Sequence, residues 1–152
     1  MMRALVIAAL VVAPSAVAAP APKVASARAF LQTIYQHYRK GGTGVPMARP
    51  GRWFEPVLAR AILRDIRASA RTGDVGRLDA DLFCDCQDFE ALEVTIGPVA
   101  VARGRARASV ILHNCDQPTL DYTLVWTRAG WRVFDIESPD GGSVREGFLS
   151  GG

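Results

Sequence analysis

The chain has 152 residues, 49% of them hydrophobic, and a formal charge of +3, with a sequence pI near 9.0. That length holds one ordinary domain and is too short for a multidomain enzyme. The positive charge does not form a continuous basic stripe interleaved with stacking aromatics, which argues against nucleic acid as a partner.

The first residues, Met1-Met2-Arg3, are followed by Ala4 to Ala13 without a polar side chain, then by Ala16-Val17-Ala18 ahead of Ala19. A short basic start, an apolar stretch and small residues at the junction form a secretory signal. The apolar stretch falls well short of the roughly 20 residues needed to span a bilayer. The expected product is therefore periplasmic or secreted, with residues 1–18 removed and no membrane span. Cleavage after Ala18 takes Arg3 with it, leaving 134 residues and a charge of +2. The remaining charge is polarised. Lys23, Arg28, Arg39, Lys40, Arg49 and Arg52 occupy residues 19–54 without an acid, whereas Asp79, Asp81, Asp85, Asp88, Glu90 and Glu93 follow one another without a base. Such runs are either solvated patches or two surfaces that face each other.

Apolar side chains at three- and four-residue spacing predict a helix over Val24 to Lys40, stopped by Gly41-Gly42. A Gly- and Pro-rich loop leads to a second helix, Phe54 to Thr72, whose Arg60, Arg64, Arg67 and Arg71 lie opposite an apolar face and which Gly73 ends. Four strands follow: Glu93 to Val101, Arg105 to Cys115, Leu120 to Arg128 and Trp131 to Glu137, the last two joined by a tight hairpin at Ala129-Gly130. In the second, Ala106, Ala108, Val110 and Leu112 alternate with Arg105, Arg107, Ser109 and His113, so one sheet face is wet or polar. The expectation is an α+β domain over 19–140, with N-terminal helices packed on a curved antiparallel sheet of about four strands, and a flexible Gly-rich tail over 141–152.

Several residues carry candidate chemistry. Asp65 falls in the middle of the apolar arc of the second helix, where a carboxylate must be paired, hydrogen-bonded or protonated; it is either a pocket acid or a structural cap. Three cysteines in an exported chain point to a disulfide of Cys115 with Cys84 or Cys86, the spacing leaving the choice open. That bridge would close a loop of about 30 residues and contribute about 3.5 kcal/mol through the unfolded chain. The same thiols with His113 would instead make a metal-binding set, Cys84, Cys86, His113 and Cys115, although their spacing departs from zinc knuckles. The acid run lacks the third ligand and turn glycine of a calcium loop. No nucleophile elbow, metalloprotease helix or phosphate loop is present, and no cofactor is expected.

Phe30-Leu31-Gln32-Thr33-Ile34-Tyr35, Leu78-Asp79-Ala80-Asp81-Leu82-Phe83-Cys84-Asp85-Cys86-Gln87-Asp88 and Gly130-Trp131-Arg132-Val133-Phe134-Asp135-Ile136 together resemble the exported bacterial family called domain of unknown function 3828. The resemblance implies a cystatin- or nuclear transport factor 2-like cone and no established activity. It marks Asp79, Asp81, Asp85, Gln87 and Asp88 as a motif, with turn and helix capping as its structural role. Cone-shaped relatives that use a pocket acid make Asp65, with Tyr35 or Tyr38, the candidate catalytic set of a small isomerase or lyase. The leading expectation is a non-catalytic exported domain that binds a small ligand in a cone cavity or an envelope protein at the acidic 79–93 surface. The face bearing Arg105, Arg107 and Ser109 offers a route to a homodimer.

Overall fold

The computed structural model describes residues 23–78, 80–86, 89–114 and 119–150. The expected leader at 1–18 and the positions Asp79, Gln87, Asp88 and Cys115 lie outside them. The described chain is α+β: two helices precede an antiparallel sheet and a third follows it.

Helix α1 (Val24–Tyr35) buries Ala27, Leu31, Ile34 and Tyr35 on one stripe and tightens into a 3-10 turn at Gln36–Tyr38. Helix α2 (Pro56–Thr72) begins where the Glu55 carboxylate accepts hydrogen bonds from the amides of Val57 and Leu58, with Pro56 in the first turn. It ends at Gly73, whose φ of +76° is the left-handed conformation a helix terminus asks of glycine.

Gly97-Pro98 splits the expected first strand into β1 (Glu93–Ile96) and β2 (Ala100–Ala102), both antiparallel to β3 (Arg105–His113), because proline brings no amide to a ladder. With β4 (Thr119–Thr127), β5 (Gly130–Ser138) and β6 (Gly142–Ser143) the order is β1-β3-β4-β5-β6. The sheet thus has six strands rather than the expected four. The burial of β3 alternates strictly, with Ala106, Ala108, Val110 and Leu112 inward. Between β4 and β5 the register slips at Thr123/Leu124, leaving Phe134 as the extra residue.

The tail expected to be flexible is ordered over residues 142–149. Gly142 and Ser143 pair with Ser138 and Glu137, and α3 (Val144–Leu149) follows, with Phe148 buried. Its start is held by Asp135, which accepts hydrogen bonds from the Arg145 amide at 2.9 Å and the Ser143 hydroxyl at 2.7 Å. The Ser143 hydroxyl in turn accepts from the Glu146 amide. Arg145 reaches back to Glu55 at 2.6 Å, so one ion pair joins α3 to the first turn of α2.

The space between helices and sheet is filled. Leu31, Ile34, Tyr38, Phe54, Leu58, Ile62, Tyr122 and Leu124 are at most 1% exposed, and Phe54 packs on Phe83 with ring centroids 5.2 Å apart. Each such side chain stabilises the fold by about 1.5–3 kcal/mol.

Candidate functional site

The motif around residue 81 forms a compact loop. The Asp81 amide donates to the Cys86 carbonyl, and the Asp81 carbonyl accepts from the amides of Cys84 and Asp85. Its side-chain Oδ1 accepts from the Phe83 amide at 2.9 Å, an Asx turn. Asp85 takes a left-handed φ of +50°, which aspartate tolerates better than most residues. This curl brings the Cα atoms of Cys84 and Cys86 to 5.1 Å, and the two form a disulfide. The expected bridge of Cys115 to one of them is corrected: one-residue spacing is unfavourable in extended chain, but here the chain turns between the two cysteines.

Tyrosines from α1 and its 3-10 turn hold this loop. The Tyr35 hydroxyl donates to the Phe83 carbonyl at 2.9 Å and lies 2.7 Å from the Tyr122 hydroxyl. The Tyr38 hydroxyl sits 2.6 and 2.7 Å from the two Asp81 oxygens. Burial, then the Asp81 charge, pushes the Tyr38 phenol far above its ordinary range, so it stays a donor at every working pH. Burial also pushes Asp81 up, and the bonds from Tyr38 and the Phe83 amide pull against that. Gly44 completes the seat, since a Cβ there would lie 2.9 Å from Asp81 Oδ2.

Beside the loop lies a cleft of about 330 Å³ bounded by the 77–86 segment, the end of β5, β6 and α3. Asp81 and Asp85 line it on one side, and Leu82, Leu120, Ile136 and Phe148 give it apolar walls. Asp85 Oδ2 accepts from the Ser138 hydroxyl at 2.8 Å, while its Oδ1 accepts no hydrogen bond among the described residues. Arg77 stands at the margin with Nη1 donating to the Gly147 carbonyl at 2.6 Å. The arrangement suits a cation or hydrogen-bond donor carried on a short apolar stem.

The other sequence-derived sites come apart. Asp65 is not a pocket acid. The fully buried residues of α2 are Leu58, Ala59, Ala61 and Ile62, whereas Asp65 is half-buried and accepts from the Arg77 amide at 3.0 Å. Gly76 passes so close that a Cβ would lie 2.6 Å from Asp65 Oδ2. With Tyr35 and Tyr38 committed to Phe83, Tyr122 and Asp81, the candidate catalytic set is not assembled. The metal set fails as well: Cys84 and Cys86 have no thiolate to give, His113 Nε2 pairs with Thr95 at 3.0 Å, and no metal-ligand cluster occurs among the described residues. On the open sheet face, Arg105 lies over the Phe134 ring at 4.1 Å, with Arg145 over the same ring at 3.9 Å, and the Ser109 hydroxyl donates to Asp121.

Sequence reasoning missed the Asp135–Ser143–Arg145–Glu55 network. Its signal was present in Ser143-Val144-Arg145-Glu146, a serine followed three residues later by glutamate at a helix start. No helix of the described residues is long and apolar enough to cross a membrane.

No protein-family model and no curated protein matches the chain. Among solved structures, a chain of the type VI native effector-immunity complex from Ralstonia pickettii is 18% identical, covering 77% of this chain and 94% of that one at a TM-score of 0.49. A phospholipid-binding protein from Ralstonia solanacearum, solved with a phospholipid, is 20% identical over 78% of this chain and 58% of its own, at a TM-score of 0.34. Likenesses this distant do not bear on function.

Proposed function

We propose that the protein is an exported, non-catalytic binding domain that receives a basic side chain of an envelope protein partner in the cleft beside the 81–86 loop. The observation that carries this reading is the pair of carboxylates, Asp81 and Asp85, set against apolar walls in a space the size of a single side chain or small ligand. A guanidinium or ammonium head would meet Asp85 while its methylene stem lay on Leu82, Ile136 and Phe148. The described lining holds no histidine, lysine or free thiol, and Asp81 is engaged by Tyr38 and Phe83, so the groups favour recognition over proton transfer. The secretory pattern at the N-terminus and the resemblance to an exported cone-shaped family support the compartment.

N-acetyl-arginine amide, titrated calorimetrically at low salt against the full chain, is expected to bind with a dissociation constant on the order of millimolar. The neutral citrulline analogue is expected not to bind. Asp85→Asn keeps a residue that accepts the left-handed backbone and should weaken binding several-fold. Equal binding of both analogues, or an unchanged affinity in the variant, would contradict the reading.

A further inference from the structure

A second groove, of about 430 Å³, lies between the 48–51 loop, α2 and the β4–β5 hairpin. Its floor is apolar, formed by Ala48, Pro56, Leu63 and Ala129 over the buried Phe54 and Ala59, and its margin carries Arg49, Arg60 and Arg132. These arginines arrive from three different elements, a loop, a helix and a strand. Arg52, outside the lining, stacks 5.6 Å over the Trp53 ring and its charge acts on Arg132. Arg132 is half-buried and donates to carbonyls, from Nε to Gly51 at 3.1 Å and from Nη1 to Trp131 at 2.6 Å. Burial first, and then the Arg52 charge, lower its pKa.

None of the four has an acidic partner among the described residues, where Arg145–Glu55 is the ion pair formed. Like charges gathered on an apolar, weakly screening surface repel one another, and an anion placed among them relieves that repulsion. An anion alone would leave the apolar floor in water, whereas an anion on an alkyl chain covers it. We propose that this groove binds a single-chain carboxylate amphiphile, its chain on Pro56, Leu63 and Ala129 and its carboxylate among Arg49, Arg60 and Arg132. The bidentate fit of guanidinium to carboxylate supplies the orientation. Charge complementarity and an apolar floor set within a groove favour one chain over a bilayer.

The test titrates dodecanoate, below its micellar concentration, into the full chain. Binding is expected for dodecanoate and not for dodecyltrimethylammonium, which has the same chain and the opposite charge. Arg49→Ala/Arg60→Ala removes two exposed side chains with no hydrogen bond among the described residues, so the fold should persist by circular dichroism while affinity falls at least tenfold. Leu63→Glu, which places an acid on the floor, should abolish binding. Equal binding of the two detergents, or full affinity in the double variant, would overturn the proposal. Co-sedimentation with phosphatidylglycerol vesicles in place of dodecanoate binding would also overturn it, by assigning the arginines to a membrane surface. Asp85→Asn, which touches the other cleft, should leave dodecanoate affinity unchanged, so the two sites fail independently.

Discussion

Asp81 carries two loads, ordering the 81–86 loop through its backbone and fixing that loop to Tyr38 through its carboxylate. Tyr38→Phe leaves this largely buried acid without its side-chain donor, and a loss of about 1–3 kcal/mol of stability is expected in chemical denaturation. Burial raises the Asp81 pKa in the fold, so the folded state takes up this proton more readily than the unfolded chain. Its contribution is therefore fully present below the unfolded value, about 3.9, and declines as pH rises through the folded one. The sign at Glu55 is opposite. Burial pushes its pKa up, but the bonds from Arg145 and the Val57 and Leu58 amides outweigh that and hold it down. Stability from Glu55 is present above about pH 4.3 and is lost as pH falls through its folded value. Glu55→Gln should flatten the acid limb of the stability curve, and Asp81→Asn should remove an opposing slope; melting temperatures between pH 3 and 7 read both. The cationic head meets Asp85, and ionisation of the neighbouring Asp81 adds a second negative charge to the cleft, so arginine-amide affinity should rise further as pH passes the raised Asp81 pKa.

At the scale of elements, α3 is the part that composition misread. Gly141, Gly142 and Gly147 suggested a frayed tail, yet Gly142 supplies a turn at φ +71° and the bulge at Phe134 lets Asp135 meet the start of α3. Truncation after Asp140 removes Arg145 and Phe148, so it should strand the Asp135 and Glu55 carboxylates and expose the core that Phe148 covers, lowering the melting temperature by several degrees. The helices and the long strands were legible because their apolar spacings, period 3.6 in α1 and period 2 in β3, are local properties of the chain. The 81–86 loop was not, because the pairing of Cys84 with Cys86 depends on a left-handed residue at Asp85. For Asp65 periodicity places the side chain on a face but does not reveal that the 76–77 backbone crosses that face and bonds its carboxylate. Peptide mapping under non-reducing conditions should recover Cys84 linked to Cys86 within one peptide; a Cys115 cross-link to either would contradict the loop described here.

For the whole molecule, the charge asymmetry seen along the chain becomes an asymmetry along β5. The arginine-lined groove meets the hairpin end at Arg132, and the acidic cleft meets the other end at Ser138, a separation of about 20 Å at the rise of a strand. That is about twice the Debye length at 0.1 M salt, so the ends act as separate surfaces and do not neutralise each other. The buried side chains pack between the helices and the sheet, and the two clefts open at the surface at these ends. The most direct test of the cleft as the recognition site is the mapping of amide chemical-shift changes as N-acetyl-arginine amide is added. Perturbations are expected to concentrate in residues 80–86 and 136–148 and to be absent with the citrulline analogue. Perturbations centred on the hairpin end or the open sheet face, or none at all at millimolar ligand, would contradict it.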